Sequence, residues 1–162
     1  RLADHLVLLD AGLLRAAGPL AELLTRPDLP LARPDDAGVV IEATVLAHDR
    51  EDALTQIGFA GGTLWVGESA APVGARVRAR VLARDVSVAR EMPRSSSIIN
   101  LLPARLVAVQ ADRGTAMLQL TLGPGPDGTP LLARITRRSA EALALAPGDA
   151  LVAQVKGVAL MR

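Results

Sequence analysis

Three short segments of this chain gather the side chains that could hold a small anion. They are RSSSIINLLPARL from Arg94 to Leu106, ARITRRS from Ala133 to Ser139, and QVKG from Gln154 to Gly157. Together they supply the hydroxyls of Ser95, Ser96, Ser97, Thr136 and Ser139, the carboxamide of Asn100, and the cations of Arg94 and Lys156. Hydroxyls and amides direct hydrogen bonds at an oxyanion, and one ammonium offsets part of its charge. The set lacks cysteine, a histidine pair and a carboxylate cluster, so it does not read as a metal site.

Each member also has a plainer reading. Ser139 stands where a short helix should begin, and its hydroxyl is equally explained as an N-cap. Such a helix start also carries unpaired amides and partial positive charge that suit an anion. Ser97 with nearby backbone amides reads as a donor, or Ser95 to Ser97 together as a flexible joint between two units. Lys156 lies in the apolar run AQVKGVAL, where an ammonium needs either a route to solvent or an anionic partner. Gly157 beside it allows close approach to the backbone, or marks a bulge.

Other residue sets are weaker. His5 and His48 stand alone, and no nucleophile is tied by spacing to His48, Asp49 and Asp52. No Walker A loop, nucleophile elbow or dinucleotide fingerprint occurs. This stretch is therefore not expected to be an enzyme. Arg76, Arg78 and Arg80 alternate with apolar residues and read as a solvated strand face. Trp65, between Leu64 and Val66, is expected in the core.

The elements that must position these groups are mostly strands. The chain has 162 residues, half of them hydrophobic, yet only about 1% aromatic, and no cysteine. Its core must therefore be built from Val, Leu, Ile and Ala, and the missing thiols fit a reducing compartment. Eighteen basic against 17 acidic residues leave a net charge of +1, which gives no global field for nucleic acid or anionic lipid. With Phe59 and Trp65 as its only large aromatics, the chain also lacks a stacking platform for single strands. Apolar runs fall far short of the roughly 20 residues of a membrane helix. The first methionine is Met92, so the chain is expected to be part of a longer protein.

Residues 6–9 and 13–16 predict a strand, turn and strand, and Gly18 with Pro19 predicts a helix carrying Leu20, Leu23 and Leu24. Residues 27–36, PDLPLARPDD, read as a linker. Two units of similar outline follow. Strands are predicted at 39–47, 54–59 and 64–66, then one long strand from Arg76 through Val88; and at 104–109, 116–122 and 131–136, then a helix at 139–145 and one long strand from Ala150 to Leu160. Aligning Gly74 with Gly148 superposes Ala79 on Ala153 and Val81 on Val155, as in distant internal copies. Short alternating strands with Gly and Pro punctuation predict small OB-like antiparallel barrels.

SIINLLPARL, followed by LLARITRRSAEALALAPGDALVAQVKGVAL, resembles the Mop or TOBE domain, with its S-A-R-N-x-L-x-G-x-V, A-x-I-T-x-x-S and closing lysine strand. The stretches VLAHDREDALTQIGFAGGTLWV and GARVRARVLARDVSVA look like the other half of the regulatory region in the ATP-binding subunits of molybdate ABC importers. The ARDV run from Ala83 to Val86 and ARIT with Ser139 are the most specific matches. Residues 1–30 are similar to the tail of the nucleotide-binding domain of those subunits, although His5 does not match the switch histidine.

The resemblance implies a mainly β fold: residues 1–26 as an α/β remnant of the nucleotide-binding domain, a linker at 27–36, and tandem TOBE units at 37–93 and 94–162. It implies molybdate or tungstate as ligand, held by Ser97, Thr136, Ser139 and Lys156, with Arg94, Asn100 and Gly157 as further candidates. Three positions depart from the pattern: Ile98 and Ile99 replace its alanine and arginine, and Gly157 replaces its last serine. The resemblance further implies a homodimer through the barrels, permease subunits reached through an ATPase domain outside this stretch, no ATP site within it, and a cytoplasmic place at the inner face of the membrane. A dimerisation module indifferent to ligand, and an oxyanion store like the molbindins, are the alternative readings.

Overall fold

A computed structural model describes residues 5–10, 13–19, 23, 37–125 and 127–161. The first elements are β1 (His5–Asp10) and β2 (Leu13–Pro19), an antiparallel hairpin. Pro19 ends β2 opposite His5 instead of opening the helix expected there. Leu23 is helical and buried, and the linker at 27–36 lies outside the described residues.

The body consists of two five-stranded antiparallel sheets. In chain order the elements are β3 (Gly38–Asp49), β4 (Leu54–Phe59), β5 (Gly62–Gly67), β6 (Arg76–Leu82), a 3-10 turn (Ala83–Asp85) and β7 (Val86–Ala89). There follow β8 (Asn100–Ala111), β9 (Thr115–Leu122), β10 (Thr129–Thr136), the short helix α1 (Arg137–Ala142), β11 (Ala150–Val155) and β12 (Ala159–Met161). Alternation sets the inward faces: Val39, Ile41, Ala43 and Val45 of β3 are buried, as are Ala116, Leu118, Leu120 and Leu122 of β9. These rows meet in one continuous aliphatic core shared by both sheets, with Phe59 packed against it.

The internal repeat is visible in the backbone. Gly74 and Gly148 both take positive φ, at 89° and 95°. The Gly74 N–H donates to the Val45 carbonyl at 2.8 Å while the Val45 N–H donates to Ala75 O at 2.9 Å. The Gly148 N–H donates to the Leu106 carbonyl at 2.8 Å while the Leu106 N–H donates to Asp149 O at 2.9 Å. Each corner sits against a break in strand register, between Val45 and Ala47 in β3 and between Leu106 and Ala108 in β8. The aligned pairs Ala79 with Ala153 and Val81 with Val155 are all buried.

The sheets do not follow the division of the sequence at 93 and 94. One has the order β12-β6-β3-β4-β5 and the other β10-β9-β8-β11-β7, so each half of the chain lends its last strand to the other half's sheet. This exchange breaks both long strands expected from the sequence. After Leu82 the 3-10 turn redirects the chain, and Val86 starts β7 against Val155. After Val155 the residues Lys156, Gly157 and Val158 leave the sheet, and Ala159 starts β12 against Arg80. Apolar residues resume within three positions of each break but in the opposite phase, Val86 and Val88 after Val81 and Ala83, Val158 and Leu160 after Ala153 and Val155, so a reading that follows apolar content without its phase runs through them. The two crossovers touch, the Lys156 N–H donating to the Asp85 carbonyl at 2.8 Å.

Candidate functional site

The second crossover and the run leading into β8 form one groove of about 370 Å³. Ser97, Asn100, Lys156 and Gly157 line it, with Trp65 of β5 as a wall from the other sheet. Ser97 and Asn100 arrive there because Ser96 tightens the chain just before β8: its Oγ accepts from the Ile98 N–H at 3.1 Å. A serine hydroxyl taking a nearby amide in this way fixes a turn. Ser96 and Ser97 therefore differ in role, the first shaping the turn while the second lines the groove.

Lys156 is exposed, on the link between β11 and β12 and not within a strand. Solvent access removes the need for a buried counter-ion, and its charge is presented at the groove wall. Gly157 packs against Asp85. A Cβ added there would stand 3.2 Å from Asp85 Oδ2, so a serine at this position requires the carboxylate to give way.

Asn100 is only 7% exposed, and its carboxamide is used by the protein itself. Its Oδ1 accepts from the Trp65 N–H at 2.8 Å and its Nδ2 donates to the Trp65 carbonyl at 2.8 Å. The side chain thus imitates a strand pairing and fastens β5 to the start of β8. Trp65 is half-buried and lines the groove, in contrast to the core position expected for it.

Thr136 and Ser139 lie together elsewhere. Thr136, not Ser139, is the N-cap of α1: its Oγ1 accepts from the Ser139 N–H at 3.0 Å and lies 2.7 Å from the Ser139 hydroxyl. Capping moves by one turn because Arg137 and Arg138 already have helical geometry, so the residue before them takes the extended conformation that a cap needs. Both hydroxyls are on exposed residues, and neither lines the groove. Arg94 is exposed and is not among the groove's lining residues either.

One cluster had no signal in the sequence. Arg90, just past β7, reaches the other end of α1: its Nε and Nη2 donate to the Leu143 carbonyl at 3.1 and 2.7 Å, and Nη2 donates to the Ala144 carbonyl at 2.8 Å. These are carbonyls that a helix end leaves unpaired. Arg90 also pairs with Asp149 at 2.9 Å. The Ala146 N–H bonded to Asp149 holds this carboxyl below its ordinary value of 3.8, with Arg90 acting in the same direction and desolvation opposing. Partners more than 50 residues apart leave no local pattern to read.

Among the described residues there is no group of three or more His, Cys, Asp or Glu able to hold a metal ion. His48 bonds Thr55, its Nδ1 lying 3.0 Å from Thr55 Oγ1, and Asp49 caps the turn after β3 by accepting from the Glu51 and Asp52 N–H groups. No helix among the described residues is long and apolar enough to cross a membrane.

Comparison with known proteins adds three findings. Residues 96–161 match the TOBE domain model. The chain is 54% identical over 163 residues to the molybdenum import ATP-binding protein ModC of Aromatoleum aromaticum, covering 100% of this chain and 42% of that protein. It is 51% identical to ModC of Albidiferax ferrireducens, covering 99% of this chain and 43% of that protein. The chain therefore spans somewhat less than half the length of these relatives. A crystal structure of the cytoplasmic molybdate-binding protein ModG with molybdate bound superposes with a TM-score of 0.65 at 24% identity, over 75% of this chain and 93% of that one. At this identity the likeness establishes the shared fold of curled antiparallel sheets.

Proposed function

Since the chain fits the C-terminal region of the ModC proteins and carries a TOBE domain at residues 96–161, we propose that it is the oxyanion-sensing regulatory part of a molybdate import ATPase. One observation carries this reading: Ser97 and Lys156, far apart in sequence, line a single groove with the Gly157 backbone. A tetrahedral dianion entering it exchanges water for directed donors and one ammonium.

Thr136 and Ser139 present a second pair of hydroxyls on the surface, outside that groove. A complete site then forms when two copies pair and the helix start of one closes the groove of the other. Binding of this kind favours the paired arrangement, and it regulates transport only if the transport-competent arrangement binds the anion less tightly. ATP hydrolysis and contact with the permease belong to the remainder of the longer protein, at the cytoplasmic face of the membrane.

Calorimetric titration of the full chain with molybdate, tungstate and sulfate tests the ligand. Molybdate and tungstate are expected to release heat that Lys156→Ala abolishes. Absence of heat with every oxyanion at millimolar concentration overturns the proposal.

A second reading is favoured by Ile99, which is 58% exposed at the groove where the TOBE pattern has a charged residue. An apolar side chain there suits contact with another copy of the chain without any anion. Under that reading the chain pairs equally with and without molybdate in sedimentation velocity, whereas sensing requires that molybdate tighten the pairing.

A further inference from the structure

We propose that the indole N–H of Trp65 is itself a ligand donor in the groove. This rests on the reading of that groove as an oxyanion site. The side chains lining it include few donors: the Ser97 hydroxyl, the Lys156 ammonium, the Asn100 carboxamide and the Trp65 indole. Asn100 is largely committed, since its carbonyl and one N–H hold the Trp65 backbone. Ser97 and Lys156 alone leave most of the lone pairs of a tetrahedral dianion without a protein donor.

Trp65 has what is lacking. The indole Nε1–H donates and cannot accept, so it suits an anion and repels nothing on it. Both main-chain polar groups of Trp65 are engaged by Asn100, so the indole N–H is the remaining polar group that this residue brings to the groove. Those two 2.8 Å bonds from Asn100 anchor the residue against the start of β8, beside Ser97. Asn100 is thus a positioning residue: it acts through Trp65 and leaves the ligand to others. The cross-strand partner of Trp65 is Gln56 on β4, so the donor belongs to the sheet opposite β8, the strand that Ser97 leads into. An anion held by Ser97, Lys156 and Trp65 would tie the two sheets together.

The single tryptophan of the chain makes this directly observable, because its indole gives one 1H–15N resonance. The full chain is titrated with molybdate, and Trp65→Phe, Lys156→Ala and wild type are compared by calorimetry and thermal melting. The expected result is a downfield shift and slowed exchange of the indole proton, with affinity in Trp65→Phe weakened about tenfold, the loss of one hydrogen bond to a charged group. The ligand-free Tm of Trp65→Phe should stay within the range of a conservative change at a half-buried site. If Lys156→Ala loses binding while Trp65→Phe binds like wild type, the donor role is overturned and the groove reading stands. Weakening in Trp65→Phe with an unmoved indole resonance makes the ring a wall only, which also overturns it. Equal behaviour of wild type and Lys156→Ala removes the groove reading itself.

Discussion

The Arg90 guanidinium lies 2.9 Å from the Asp149 carboxylate, joining the strand lent by the first half of the chain to the corner that follows α1 in the second. The same guanidinium donates to two carbonyls at the end of that helix, at Leu143 and Ala144. A contact that looks like a surface ion pair is thus mainly a cap for main-chain acceptors.

Replacing Arg90 with alanine is expected to cost about 1–2 kcal/mol, because the carbonyl bonds are lost and the exposed ion pair adds little of its own. Arg90→Lys recovers only a fraction, since an ammonium cannot span both carbonyls and the carboxylate. Urea denaturation of the two variants measures this, and equal stability of wild type and Arg90→Ala contradicts it.

Acid should act through Asp149. Its folded pKa lies below the ordinary 3.8, so its contribution to stability is present above that value and is lost as pH falls through the folded one. The Tm difference between wild type and Asp149→Asn is therefore greatest above about pH 5 and shrinks towards zero in stronger acid. A difference that grows on acidification would have the wrong sign.

Asn100→Ala leaves the Trp65 N–H and carbonyl without their partners in a nearly closed place. A loss of about 2–4 kcal/mol is expected, from two stranded main-chain groups. Asn100→Asp keeps an acceptor for the N–H but sets a second oxygen against the Trp65 carbonyl, so it should not restore stability. Chemical denaturation followed by tryptophan emission reads both.

Gly74→Ala and Gly148→Ala should be alike. Neither added Cβ meets any atom within 4 Å, so the penalty comes from positive φ alone, about 1–2 kcal/mol at each site. Markedly unequal losses would mean that the two corners are not copies.

Much of this was legible in the sequence, and the reasons differ by element. β4 was predicted at its observed limits, and β3, β5, β9 and β10 near theirs, because each pairs its buried row with clear turn residues at the ends; β8 was expected from Ala104 and starts at Asn100, where no turn residue marks its beginning. The aligned glycines identified the repeated corner, since only that backbone geometry needs them. The crossovers were read through because apolar residues resume soon after each break; the signal that marks them is a shift of phase, from Val81 and Ala83 to Val86 and Val88 and from Ala153 and Val155 to Val158 and Leu160. At the candidate site, spacing and resemblance singled out Ser97 and Lys156, which share the groove, and Thr136 and Ser139, which share a helix start elsewhere. Trp65 was missed as a groove residue because an aromatic between Leu64 and Val66 looks like core. Arg90 was missed because its acceptors are main-chain carbonyls, which have no signature in side-chain types.

The mutual loan of β7 and β12 also fixes an order of events as the chain leaves the ribosome. The first sheet reaches its full width only when Ala159–Met161 has been made and folded back onto β6, and β7 must wait for β11. Neither half can therefore finish as an independent unit while the rest is still being synthesised. The early strands keep an open edge at β6 until Ala159–Met161 emerges, a window in which pairing with a neighbouring nascent chain competes with pairing within the chain.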